Sequence, residues 1–290
     1  MKIAITGSNG LLGSTLIKLS SAKKIQTIGV SREEYLPSKP LKDVVEYFKS
    51  KKIEAIIHCA ANTNVELCET EVEQCYLDNV LFTEVLANVC DLLGMKLVFI
   101  SSTGIYGETQ NEPYCEYSDV KPTTVHHHSK LCAERSLSSI LSNYLIIRTG
   151  WLFGGEWENP KNFVANRIKD ALKSDGCLFS DSGQKGCPSY VNDVANRIFD
   201  LLSSEWKGVF NCVNTGYASR YDYVSAIVKY SKLEVDVVPA ESKSFNRRAK
   251  VSKNEAAVNM KLKAIGFEEM PYWERSLELY ICKQKEMKYF

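Results

Sequence analysis

Short apolar runs alternate with longer amphipathic stretches through the first half of the chain. Residues 2–6 are β-branched and apolar, and Leu11, Leu12, Leu16 and Ile17 recur as they would on a helix. Further strands are expected at 25–30, 53–58, 96–101 and 144–149, with helices at 41–51, 71–93 and 122–141. In the 41–51 stretch, Val44, Val45 and Phe48 fall on one face. Strands nearly continuous in apolar residues and separated by helices belong to a parallel sheet covered on both sides. The expected fold is therefore α/β: a Rossmann-type doubly wound parallel sheet.

Past residue 150 the pattern loosens. Loops lengthen and become rich in Gly, Pro and Asn, as at 154–160. Helices are expected at 161–173, 190–204 and 219–231, strands at 176–180, 208–213 and 234–238, and two helices after those. The division implied is a dinucleotide-binding domain over 1–150 and a smaller C-terminal substrate lobe over 151–290, interleaved with the same sheet. No internal repeat or low-complexity linker interrupts it.

The first strand runs into Gly7-Ser8-Asn9-Gly10-Leu11-Leu12-Gly13. A dinucleotide pyrophosphate needs such an order. The first glycine makes the tight turn, the second lets backbone approach phosphate, and the third lets helix and strand pack closely. The helix N-terminus then offers free N–H groups and a positive dipole end. Gly7, Asn9, Gly10, Leu11, Leu12 and Gly13 are thus the first cofactor-binding candidates. The second strand ends at Ser31 and Arg32, where a basic residue accommodates a ribose 2′-phosphate and an acidic one holds a 2′-hydroxyl. With Arg32 there, NADP is favoured and NAD remains possible. After the third strand, Cys59, Ala60 and Ala61 are small enough for a cofactor to lie across the sheet.

Bulk composition narrows the class without naming the chemistry. The chain has 290 residues, 44% of them hydrophobic, and a net charge of +1. Such a balance offers no global field for nucleic acid or an anionic membrane. No apolar run approaches the roughly 20 residues of a membrane span. No cleavable signal is visible, because the first strand and helix already occupy residues 1–17. The ten cysteines are scattered and form no CxxC pair, which points to reduced thiols in a cytoplasmic protein. His126, His127 and His128 are consecutive, so on a helix they point about 100° apart, and no metal is expected.

Together, the glycine turn, His58-Cys59-Ala60-Ala61, Asn79, the stretch Ser101-Ser102-Thr103-Gly104-Ile105-Tyr106-Gly107 and Lys130 resemble extended short-chain dehydrogenase/reductases. Arg148-Thr149-Gly150-Trp151, Asn162-Phe163, Gln184-Lys185-Gly186-Cys187-Pro188-Ser189, Gly208-Val209-Phe210-Asn211 and Ser219-Arg220-Tyr221 extend the likeness to the dTDP-4-dehydrorhamnose reductases. The resemblance spans nearly the whole chain. It implies NAD(P)H-dependent reduction of the keto group of a 4-keto-6-deoxy nucleotide sugar, as in dTDP-rhamnose biosynthesis, by a cytoplasmic enzyme that could form a homodimer. It also implies Ser102 as the hydroxyl that orients the carbonyl and Lys130 as the lysine that holds the nicotinamide ribose. Asn79 joins the cofactor set on the same grounds. Thr103, Trp151, Asn162, Gln184, Tyr190 and Arg247 become the substrate candidates.

One departure bears directly on the chemistry. Such reductases carry a tyrosine four residues before the lysine, on the same helical face, where the lysine charge lowers the phenol pKa. Here that residue is His126. Three readings follow. His126 replaces tyrosine as the acid, acting as imidazolium; another acid, such as Tyr106 or a water chain, serves instead; or the chain binds nucleotide as a regulatory or structural subunit, as the related β subunit of methionine adenosyltransferase does. Milder departures are Asn246-Arg247-Arg248 in place of the family's Arg-Pro, and Pro40-Leu41 where an aspartate often precedes the apolar residue.

Overall fold

In the computed structural model, residues 1–34, 39–245 and 247–290 are described. Asn246 lies outside them. The central sheet contains β1 (Lys2–Thr6), β2 (Gln26–Val30), β3 (Ala55–His58), β4 (Lys96–Ser102) and β5 (Tyr144–Thr149). A sixth strand, Gly208–Asn211, comes from the second half of the chain and pairs with β5. From this strand the order runs β5, β4, β3, β1, β2, and every pairing is parallel. The chain steps outward from β1 to β2, then returns to place β3 on the other side of β1. A crevice therefore opens between the carboxyl ends of β1 and β3, the place where open α/β sheets take ligands.

Alternation along the strands decides which side each residue buries. Ile3, Ile5, Ile57, Val98, Leu145 and Ile147 pack with Leu12, Leu16, Val194 and Ile198 on one face. Ala4, Ile56, Leu97, Phe99 and Ile146 pack with Val44, Phe48, Leu86, Ala133 and Leu137 on the other. The smaller lobe has a separate aromatic core of Phe153, Trp157, Tyr190, Tyr223, Trp273 and Tyr280. No described helix is long and apolar enough to cross a membrane.

The expected helix at 71–93 is broken. Val72–Tyr76 and Phe82–Leu93 are α-helical, and Leu77–Leu81 between them is a π turn. The extra residue in that turn buries both Asp78 and Asn79, and such turns cluster at functional sites. Apolar periodicity cannot reveal it, because the flanking helices keep their phase with the core. The helix expected at 122–141 begins at Val125, because the Thr124 hydroxyl caps it by accepting the His127 N–H. It ends at Ile140.

A buried polar spine ties this helix to the sheet. Arg148, at the end of β5, pairs with Glu134 on the helix at 2.7 Å, and both are less than a tenth exposed. Arg148 also donates to the Tyr106 hydroxyl, which donates to Asn211 Oδ1 at 2.7 Å. Removing one partner strands the other charge in the interior. We expect Glu134→Gln to destabilise the fold by about 3–5 kcal/mol, read as a loss in urea unfolding free energy.

Candidate functional site

A cleft of about 390 Å³ lies across the carboxyl ends of β1, β3, β4 and β5. Gly7, Gly10, Leu11, Leu12 and Gly13 line it from the first turn, and Cys59, Ala60 and Ala61 from the second. Ser102, His126, Lys130 and Trp151 complete the far side. A shallower lobe adjoins it, sharing Gly7, Gly10, Ala60 and Ala61 and adding Asn9, Ser31, Arg32 and Glu34.

The glycines of the first turn have separate steric reasons. Gly7 is left-handed at φ +64°, and a Cβ there would lie 2.7 Å from the Ala60 amide nitrogen. A Cβ on Gly13 would lie 2.2 Å from the Gly7 carbonyl oxygen. Gly10 is exposed to both lobes, and its amide donates to Gly7 O at 2.9 Å. Its missing side chain keeps the approach to the helix N-terminus open. Leu12 is buried in the sheet core as well as bordering the cleft.

In the outer lobe, Arg32 donates to Asp78 at 2.8 Å and stacks over Phe82. It remains about 43% exposed, so the guanidinium is braced yet still reachable. Glu34 accepts the Ser31 amide and the Tyr47 hydroxyl, each at 2.6 Å. Burial works to raise the Glu34 carboxyl, but these hydrogen bonds outweigh it and hold it below its ordinary value.

Across the cleft, Ser102 accepts the Gly104 N–H at 3.1 Å. Lys130 is 3% exposed, with its ammonium 3.9 Å from the centre of the Phe99 ring. Burial pulls it down to about 7, and Glu134 on the next turn works against that fall. His126 Nδ1 lies 2.8 Å from the carbonyl oxygen of Asn62. A carbonyl has no proton to give, so Nδ1 is the donor and neutral His126 has its lone pair on Nε2. Burial first, then the neighbouring His127 and Lys130, pushes the imidazole down to about 3. At neutral pH it carries no charge, which corrects the expectation of an imidazolium acid.

The other expected residues are placed as follows. Asn79 is buried outside the cleft: it accepts the Asn62 N–H at 2.7 Å and donates to Ser129. It thereby fixes the loop that holds His126. Tyr106 is fully buried, stacked on Tyr114 and engaged with Arg148 and Asn211, so it has no access to a substrate. Thr103 is buried beneath Gly150. Asn162 caps the helix Phe163–Lys173 and donates to the Tyr280 hydroxyl. Tyr190 stacks in the small-lobe core. These three serve packing or capping and do not line the cleft. Gln184 is buried beside it, with Oε1 facing Arg220. Arg247 borders a separate shallow depression with Glu66 and Arg248.

Trp151 does line the cleft. It is held at φ +48°, with its indole N–H donating to Glu255 at 2.9 Å and its ring against Gly186. Sequence reasoning missed Thr63, Lys161 and Thr149. Lys161 donates to the Thr63 hydroxyl from the opposite lip of the cleft, a meeting of loops that no local pattern announces. Ser101 and Thr149 border the cleft and have buried hydroxyls with no hydrogen-bond partner among the described residues. No aspartate or glutamate lines the cleft among the described residues, whereas Lys130 and Lys161 do. The surface suits a phosphorylated ligand.

The three histidines diverge. His126 reaches the cleft, His128 is exposed, and the His127 ring sits 3.0 Å from Thr124 Oγ1 and against Gly104. A Cβ on Gly104 would come within 2.2 Å of that ring. Among the described residues, no group of three His, Cys, Asp or Glu is placed to hold a metal ion.

A parallel sheet with a glycine turn at its switch point defines a Rossmann-type nucleotide-binding protein. The chain belongs to the RmlD substrate-binding domain family, whose pattern it matches over residues 1–286. It is 26% identical over 248 residues to the spore coat polysaccharide biosynthesis protein SpsK of Bacillus subtilis, covering 85% of each chain. It is 24% identical to a dTDP-4-dehydrorhamnose reductase of Mycobacterium tuberculosis, covering 95% of this chain and 91% of that one. In structure it is similar to a Clostridium acetobutylicum dTDP-4-dehydrorhamnose reductase, with TM-score 0.92, 29% identity and coverage of 98% and 100%. The Bacillus anthracis dTDP-4-dehydrorhamnose reductase, solved in complex with NADP, gives 0.91 and 28%, with coverage of 97% and 99%.

Two outcomes follow from this geometry. Gly104→Ala should destabilise the fold by about 1–3 kcal/mol through overpacking, and adding His127→Ala should recover most of the loss in thermal melts. Acid should also destabilise the protein. His58 and His126 are both held near 3, against an ordinary 6.5. Between those values the unfolded chain binds more protons, so stability falls as pH falls. The melting temperature of His126→Gln should decline less steeply than that of the native protein from pH 6.5 towards 3.

Proposed function

We propose that this chain is an NADPH-dependent reductase of a 4-keto-6-deoxy nucleotide sugar, with residues 1–150 binding the dinucleotide and residues 151–290 contributing the substrate wall. The observation that carries this reading is one continuous cleft joining the glycine turn to Ser102, His126 and Lys130, lined by Lys130 and Lys161 and, among the described residues, by no carboxylate. The residues fit the cofactor. Gly7, Gly10 and Gly13 make a phosphate cradle, and the free hydroxyls of Ser101 and Thr149 await partners. NADPH supplies a hydride when bound. Arg32 is the group to meet a 2′-phosphate, and the NADP complex of the Bacillus anthracis relative supports that preference.

Within the cleft, Ser102 orients the substrate carbonyl, Lys130 holds the nicotinamide ribose, and His126 stands where the related reductases carry tyrosine. Trp151 offers a flat face to the sugar or base. A second reading, a nucleotide-binding subunit without turnover, is favoured by one observation: His126 Nδ1 is committed to the Asn62 carbonyl, and burial pushes the imidazole down to about 3, which leaves it a poor acid at neutral pH.

The test is NADPH oxidation in the presence of dTDP-4-dehydrorhamnose. Native protein should turn over with NADPH preferred to NADH, and Gly10→Val should abolish cofactor binding measured by calorimetry. Tight NADPH binding without turnover of any 4-keto nucleotide sugar would favour the subunit reading.

A further inference from the structure

We propose that Lys130, not the histidine in the tyrosine position, delivers the proton to the reduced carbonyl, while His126 Nε2 acts as a hydrogen-bond acceptor for a hydroxyl of the bound ligands. The inference rests on the reductase reading above.

The geometry of His126 carries the first half. Its Nδ1 is committed to the Asn62 carbonyl at 2.8 Å. That carbonyl also accepts from Asn79 Nδ2 at 3.2 Å, while Asn79 Oδ1 holds the Asn62 amide. The Asn62 carbonyl is thus fixed from two directions, and rotating the imidazole to present Nδ1–H to the cleft would leave this half-buried carbonyl one donor short. The atom left for the ligands is Nε2, which bears the lone pair in this tautomer. A tyrosine hydroxyl both donates and accepts; this imidazole only accepts.

The second half follows from what else borders the cleft. Among the described residues no carboxyl group lines it, and Tyr106 is committed to the Arg148 and Asn211 spine. Ser102 is a weak acid already receiving the Gly104 amide. Lys130 is on the same helical face as His126, one turn on, with its ammonium over the Phe99 ring and, among the described residues, no hydrogen bond to a side chain or carbonyl. Its ammonium has three protons and is nearly enclosed. It can hold a ribose hydroxyl with one proton and give another. The groups that face it are Glu134, His126 and His127 from its own helix, His58 at the end of β3 and Cys59 just after it, and Cys75 from the helix Val72–Tyr76. Those facing His126 are His127, Lys130 and Lys161. Burial outweighs Glu134 and brings Lys130 into the range of a working acid at neutral pH.

The step balances. The carbonyl carbon takes the hydride, its oxygen takes a proton from the Lys130 ammonium, and the neutral amine recovers a proton from water. Each turnover consumes one ketone, one reduced cofactor and one proton.

Two measurements test this. The first needs no turnover. Nitrogen NMR of the native protein at pH 7 should show His126 neutral, protonated on Nδ1 and bare on Nε2. An imidazolium, or the opposite tautomer, overturns the proposal whatever the activity. The second is kinetic. The native rate should fall as pH rises through about 7, because the ammonium is the donor. Lys130→Met should lose roughly 10²–10⁴ in kcat, and Lys130→Ala should be partly rescued by added methylamine, with a pH limb set by that amine. His126→Gln, which retains an acceptor, should raise KM more than it lowers kcat and leave the pH limb in place. If His126→Gln removes the limb, or Lys130→Ala ignores the amine, the proposal fails while the reductase reading stands. If the native protein binds NADPH and turns over no 4-keto nucleotide sugar, the reductase reading fails, and Lys130's role as its acid fails with it.

Discussion

The ion pair between Arg148 and Glu134 holds the rest of the site together. It joins the carboxyl end of β5 to the helix Val125–Ile140, and both side chains are less than a tenth exposed. Through Tyr106 and Asn211 the same network reaches the turn after β4 and the strand donated by the second half of the chain. His126 and Lys130 stand on that helix, and Ser102 ends β4 and caps that turn. A buried pair of this kind adds little to net stability compared with an apolar core, but breaking it is costly. Its consequence here is geometric: β5, the helix, the turn after β4 and the strand Gly208–Asn211 are held in one arrangement around the cleft.

Electrostatics then sets what the cleft can accommodate. The chain as a whole is nearly neutral, yet Lys130 and Lys161 border the cleft and, among the described residues, no carboxylate does. Desolvation depresses both Lys130 and His126 because the same low-dielectric wall disfavours any charge without a partner. The two groups end up in different states. The lysine is balanced near neutrality with help from Glu134, whereas the histidine has only cations or other imidazoles for neighbours and stays uncharged. An anionic ligand entering this cleft would find compensation already waiting, which is the arrangement a dinucleotide and a nucleotide sugar require.

The packing around the three histidines shows how a change of residue type is absorbed. His127 is accommodated because residue 104 has no side chain, and Trp151 can lie against the 184–189 segment because residue 186 has none. In both cases a glycine makes room for an aromatic or heteroaromatic ring that a neighbouring element supplies. Such pairings are invisible along the chain, where the two members are 23 and 35 residues apart.

Much of the fold was legible in the linear pattern, because continuous apolar strands and period-3.6 helices follow from local burial alone. The glycine turn was legible for a similar reason: its three glycines fall within seven residues, between a strand and a helix. Order and spacing of the short motifs were enough to indicate the family. Legibility ended where distant groups decide a residue's state. Sequence placed His126 four residues before Lys130 but could not show the Asn62 carbonyl that fixes its tautomer, nor the burial that removes its charge. It named Asn79 without its role of holding that carbonyl, and it took Asn162 and Tyr190 for substrate contacts when capping and packing claim them. The π turn at Leu77–Leu81 and the bridge from Lys161 to Thr63 left no periodic trace. Local sequence thus determined the elements and the phosphate cradle, since those depend on backbone sterics and amphipathic pattern. Protonation, partnership and access were decided by tertiary structure, since they depend on desolvation and on which atoms from remote segments arrive within hydrogen-bonding distance.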